Sequence, residues 1–197
     1  PPGSEEFEFE EKGKTMVHAA YKGFGIWEKG TEGPTSGWYA GTQYDADISA
    51  AKGVLKQLDK YYPGAKKYEV AGFFWWQGDK DRYRSYWAER YETNLVQLIK
   101  ALREEFDAPN AKFVCATLGQ TAKGAEGNDG LILNAQLAVD GESGKYAEFK
   151  GNVATVYTNP VSMGGSSNGH YGGNAETYMN VGEAMGKAMV ELLSGRD

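Results

Sequence analysis

Two patterns of apolar residues alternate along the chain. Four runs, residues 15–20, 68–76, 112–118 and 152–158, are short, rich in β-formers and nearly continuous, as strands covered on both faces read. Between them the period changes. Ile48, Ala51, Leu55, Leu58 and Tyr62 step by three and four, as do Trp87, Tyr91, Leu95, Leu98, Leu102 and Phe106, so each set predicts an amphipathic helix. A last helix runs through Tyr178, Val181, Met185, Ala188 and Leu192, and a shorter one is expected over residues 131–139. Strand alternating with helix predicts an α/β fold of three layers, a parallel sheet between helices linked by right-handed crossovers. In such sheets ligands gather where loops leave the carboxyl ends of the strands. Here those are residues 23–41, 77–82, 119–129 and 159–173, all rich in Gly and polar side chains.

With 197 residues and neither repeat nor linker, the chain reads as a single domain, residues 1–197. The acidic start, residues 5–11 with Phe7 and Phe9 interleaved, reads as a solvated edge segment rather than a partner-binding arm. No apolar run is long enough to span a bilayer, so a membrane is not expected. The 21 Lys and Arg against 27 Asp and Glu form no basic face, so neither is nucleic acid. Cys115, the one cysteine, lies inside an apolar run and reads as a small buried hydrophobe.

There are two histidines. His18 sits inside the first apolar run and reads as a core or near-core residue. His170 lies in a Gly-Ser-Asn-rich loop just before the last helix, where a general base reaches across the top of a sheet; by position alone it is equally a loop histidine. The second run ends in Trp75, Trp76, Gln77, Gly78 and Asp79. The Gln77 carboxamide either donates toward a developing oxyanion or caps its loop. Asp79 and Asp81 read as solvated charges or a helix cap, since no histidine or third carboxylate stands near enough for a metal site. Gly23 follows the first run and leaves a backbone N–H free to face a ligand. The motif around it lacks the third glycine and the following helix of a dinucleotide loop. Trp38, Trp76 and Tyr171 are the aromatic candidates for stacking on a sugar.

Together these blocks resemble the sialate O-acetylesterase-like branch of the SGNH hydrolases, which includes carbohydrate esterase family 6. The resemblance covers residues from about 14 to 194. Its strongest part is the strand ending in Trp-x-Gln-Gly-Glu-x-Asp, which here reads Trp75-Trp76-Gln77-Gly78-Asp79-Lys80-Asp81. The histidine shortly before the final helix, His170 with Tyr171, is the second. Ala20-Tyr21-Lys22-Gly23 stands, more loosely, where the family has an Ala-Trp-Gly-Gly-like turn. The resemblance implies a flavodoxin-like parallel sheet, a serine esterase acting on an acetylated carbohydrate, no metal or organic cofactor, and a secreted or periplasmic location. His170 would be its base, and Gln77 with the Gly23 N–H its oxyanion donors.

Two departures follow. The family's Gly-Gln-Ser-Asn-like block, which carries the nucleophile, is absent from these residues. The first strand and its serine are therefore expected in a segment outside this sequence, a separate chain or another part of the parent protein. The position three before the histidine, where the family places its acid, is Ser167. Asp79 is then the first candidate for that acid and Glu176 the second. Ser167 lies too close to His170 along one loop to serve as the nucleophile. The rival readings are a glycan-binding module of the same fold that has lost the chemistry and, more weakly, a flavin or nucleotide binder.

Overall fold

A computed structural model describes residues 6–19, 25–30 and 42–195. They fall into two compact units, residues 1–70 with 100–106, and residues 71–99 with 107–197.

In the first unit, β1 (Glu6–Glu11), β2 (Lys14–Ala19) and β3 (Gly25–Glu28) form an antiparallel sheet in the order β1-β2-β3. This corrects one expectation. The run at residues 15–20 does not belong to the parallel sheet but is the middle strand of this separate one. The reason is local. Lys12 and Gly13, at φ of 53° and 73°, make a two-residue turn. A turn with two left-handed residues has the twist that joins adjacent antiparallel strands, whereas a parallel partner needs a long crossover. The acidic start thus forms an edge strand, with Glu8 and Glu10 exposed. Then come α1 (Thr42–Lys56) and α2 (Leu58–Tyr61). The single expected helix breaks at Gln57, and Tyr62 at its end is exposed.

The second unit holds a parallel sheet, β4 (Gly72–Trp75), β5 (Lys112–Ala116) and β6 (Val153–Val156), in the order β4-β5-β6. The sheet agrees with the predicted α/β class, although its strands are shorter than the apolar runs that announced them. In the central strand Phe113, Val114, Cys115 and Ala116 are all 0% exposed, which explains the continuous apolar run. Side chains alternate between faces. Val114 and Ala116 meet Val181, Met185 and Met189 of α5 (Ala175–Ser194). Each valine or methionine side chain here contributes about 1.5–3 kcal/mol when fully buried. Burial pushes the Cys115 thiol up to about 12, as expected of an inert core thiol.

One more helix, and residues 85–99 of another, complete the unit. α3 (Ser85–Glu105) buries Trp87, Tyr91, Leu95, Leu98 and Ile99 along one stripe, and α4 (Gly127–Ala138) buries Ile132, Leu133 and Gln136. α5 starts on a side-chain cap, with the Asn174 carboxamide oxygen accepting from the Thr177 N–H at 2.8 Å. No helix among the described residues is long and apolar enough to cross a membrane.

Candidate active site

At the carboxyl end of the parallel sheet three loops meet: the one after β4, the one after β5, and the one between β6 and α5. The strand ends are tied first. Thr158 donates its hydroxyl to the Thr117 carbonyl at 2.7 Å and its N–H to the Thr117 hydroxyl at 3.0 Å, both residues being wholly buried. Trp76 adds its indole N–H to the same carbonyl at 3.1 Å.

The loop after β4 is anchored from α3 and α4. The Gln77 carbonyl accepts from the Tyr91 hydroxyl at 2.7 Å and from Gln136 Nε2 at 2.8 Å. Burial pushes the Tyr91 phenol well above its ordinary value, so it stays a donor. The following Gly78 has φ of 142°, and a Cβ there would lie 3.0 Å from Ile132 Cγ2 and 3.3 Å from Gln136 Nε2. Only glycine fits that bend without strain. The Gln77 carboxamide donates to Asp81 Oδ2 at 2.7 Å. A carboxamide has two N–H bonds, so one remains for another acceptor. Burial pushes the Asp81 carboxyl above its ordinary value, the Gln77 N–H pulls it back, and the charge on Asp79 adds a smaller upward push. Asp81 is therefore a part-buried partner of Gln77, not the solvated charge expected from sequence.

Asp79 links the first loop to the third. Its Oδ1 accepts from Ser167 Oγ at 2.5 Å and from Arg82 Nε at 3.0 Å, and Arg82 also reaches Asp129 at 3.5 Å. Ser167 N–H donates to Gln120 Oε1 at 3.2 Å, which brings in the loop after β5. The Nε2 of that same carboxamide is buried and has no partner among the described residues.

His170 follows in a turn of unusual backbone. His170, Tyr171, Gly172 and Gly173 have φ of 50°, 51°, 60° and 70°. Each non-glycine residue in this left-handed region costs on the order of 1 kcal/mol or more, and two stand in succession. The turn sends neighbouring side chains to different fates. Tyr171 is 3% exposed, stacked on Trp76 at 5.5 Å and 17°, and its hydroxyl accepts from the Gly119 N–H at 3.0 Å. Gly119 allows this approach, since a Cβ on it would lie 3.1 Å from Tyr171 Cε1, and also 2.1 Å from Ser162 Oγ. His170 is exposed instead. Its carbonyl accepts from the Tyr178 hydroxyl at 3.2 Å, and no hydrogen bond reaches its imidazole among the described residues.

The sequence candidates are thus sorted by place. Gln77, Asp79 and His170 lie on loops at one sheet end, with Ser167 between the last two. Asp79 does not bond the His170 ring among the described residues; its Oδ1 is shared by Ser167 and Arg82. Glu176 is exposed in the first turn of α5. Tyr171 is buried, with its ring against Trp76 instead of open to a ligand, and Trp76 is half-buried. Gly23 and Trp38 lie outside the described residues, as do Ala20, Tyr21 and Lys22. Sequence reasoning missed Tyr91, Gln136, Arg82, Gln120 and Tyr178. The helical period puts Tyr178 on the apolar stripe of the last helix, but it is 42% exposed, while its neighbour Thr177 is buried. Among the described residues no group of three or more His, Cys, Asp or Glu side chains is placed to hold a metal ion.

A family described as carbohydrate esterase, sialic acid-specific acetylesterase, matches residues 8–191. No curated protein matches the chain. A crystal structure of a protein from Arabidopsis thaliana is similar at 18% identity and a TM-score of 0.49. The similarity covers 75% of this chain and 52% of that one, so the chain spans about half the length of that plant protein.

Proposed function

Since the chain belongs to the sialic acid-specific acetylesterase family of carbohydrate esterases, we propose that it supplies the histidine half of a serine esterase that removes O-acetyl groups from a carbohydrate. A serine outside these residues attacks the acetyl carbonyl. His170 takes its proton and returns it to the departing sugar oxygen, and acetate leaves when water repeats the sequence on the acyl-enzyme. Gln77, one N–H held by Asp81 and the other without a partner among the described residues, donates to the tetrahedral oxyanion together with the Gly23 backbone N–H. Asp79, bonded to the serine at the family's acid position, is the carboxylate that favours the imidazolium, with Glu176 the second choice. Trp38 and Trp76 are the aromatic surfaces for the sugar. The reaction proposed uses no metal or organic cofactor, and an exported protein is its expected setting.

The observation that carries this reading is the exposed His170, held out by a strained left-handed turn at the sheet end that also bears the Gln77-Gly78 block. Strain of this kind persists where the surroundings enforce it and is concentrated at active sites. The nucleophile has a natural place too. β4 is an edge strand of the described sheet, and a further parallel strand paired there would deliver its carboxyl-end residue beside Gln77.

The test is replacement of His170 in the complete protein, with acetate release from an acetylated sugar as the readout. His170→Ala is expected to lower kcat/KM by about six orders of magnitude, as removal of a triad histidine does. His170→Asn should do the same while keeping a side chain that tolerates the left-handed turn. Turnover unchanged in both would end the proposal. A glycan-binding module is the second reading, favoured by one observation: no carboxylate bonds the imidazole of His170 among the described residues. Saturable sugar binding without acetate release would select it.

A further inference from the structure

Tyr178 is the outer member of a three-ring cluster beside His170. Trp76 and Tyr171 form the inner pair, and the Tyr178 ring stands edge-on to both, 5.5 Å from Trp76 at 64° and 5.9 Å from Tyr171 at 81°. Such tilted contacts suit aromatic quadrupoles and hold a ring in one orientation. Its hydroxyl is engaged as well, donating to the His170 carbonyl at 3.2 Å. Singly exposed aromatic residues are ordinary on protein surfaces. This one differs because its ring and its hydroxyl are both fixed, yet 42% of the residue faces solvent. The result is a partly exposed ring, already ordered, tethered to the backbone of the proposed base.

We infer that Tyr178 is the positioning residue that receives the sugar ring of the substrate, the C–H face of a pyranose lying against the phenol so that its acetyl group reaches His170. The inference rests on the carbohydrate esterase reading and adds to it a residue that selects ring-bearing esters over simple ones. A fixed ring suits this task because little side-chain entropy remains to be lost when the ligand lands. The same hydroxyl tether makes the distance from platform to base a property of the fold rather than of the ligand.

The experiment compares Tyr178→Ala and Tyr178→Phe with the unaltered complete protein on two esters, an O-acetylated methyl hexoside and ethyl acetate. Calorimetric binding of the same acetylated hexoside is measured in the His170→Asn background, where turnover does not interfere. Tyr178→Ala is expected to raise KM and Kd for the hexoside by about three- to tenfold, the size of one aromatic contact. It should leave KM for ethyl acetate within about twofold, and Tyr178→Phe, which keeps the ring, should bind the hexoside nearly as the parent does. A hexoside Kd unaltered by Tyr178→Ala overturns the inference. So does an equal rise in KM for both esters, which marks a structural role, or a Phe variant as weak as the Ala variant, which marks the hydroxyl instead of the ring. If the unaltered protein releases no acetate, the esterase reading fails while the Kd comparison still decides Tyr178. If it binds no hexoside, the role of Tyr178 fails with it.

Discussion

The loop after β4 and the loop before α5 rise over the same sheet end, but they use their polar groups in opposite ways. In the first, the Gln77 carbonyl, the Gln77 carboxamide and the Asp79 carboxylate all have protein partners, supplied by Tyr91, Gln136, Asp81, Arg82 and Ser167. The second is held at Ser167, Tyr171 and the His170 carbonyl, and it leaves the imidazole in solvent on a backbone that L-residues disfavour. One loop is a fixed platform, and the other presents an imidazole on a strained support. The difference matters for the proposed reaction, in which oxyanion donors would gain most from being preorganised, while a base would have to take up and release protons.

The largest structural effect should come from removing the rigidity of the first loop at its bend. Gly78→Ala puts a side chain at φ of 142° against Ile132, Gln136 and Tyr91, and is expected to cost about 2–3 kcal/mol. Urea unfolding measures it directly. A loss below about 0.5 kcal/mol, the range of an ordinary surface change, would mean the loop is not the fixed member of the pair.

Ser167→Ala tests the link between the two loops. It removes the bond to Asp79, which keeps Arg82, so the expected loss of stability is about 1 kcal/mol. Hydrogen exchange should accelerate in the amides of residues 167–173 and hardly change in residues 77–81. Equal acceleration in both segments would show that the loops open as one unit and remove the contrast.

The smallest effect is expected at Asp81, and its size depends on pH. Its carboxyl value is raised on folding, so the folded state binds the proton more tightly than the unfolded chain. The associated cost is absent below the ordinary value of 3.8 and grows as pH rises through the folded-state value. Asp81→Asn keeps an oxygen for the Gln77 N–H and removes that cost. Its urea midpoint should exceed that of the parent at neutral pH and coincide with it at about pH 3. A lower midpoint at neutral pH would show that the charge on Asp81 helps to hold Gln77.

Much of the fold could be read from the chain. The continuous run at residues 112–118 announced the buried central strand, and the three- and four-residue steps from Trp87 onward announced α3. Residues 15–20 misled because a short apolar run looks alike in either kind of sheet. Partner choice was decided by Lys12 and Gly13, whose turn folds the acidic segment back on β2. At the site, Gln77 and His170 were legible as motif residues. Tyr91 and Gln136 were not, since their polar ends act only after two helices pack against the loop, and helical periodicity records just their burial.

By itself the sequence determined the α/β alternation, the family and the loops after β4 and before α5 among the four on which chemistry was to be sought, because these depend on local periodicity and on contiguous motifs. Tertiary structure alone decided which polar groups of those loops are already engaged, that Tyr171 points inward while His170 and Tyr178 face solvent, and that Asp79 meets Ser167. Those outcomes depend on contacts between residues far apart in the chain. Asp79 and Ser167 are 88 positions apart, a separation over which no local pattern constrains geometry.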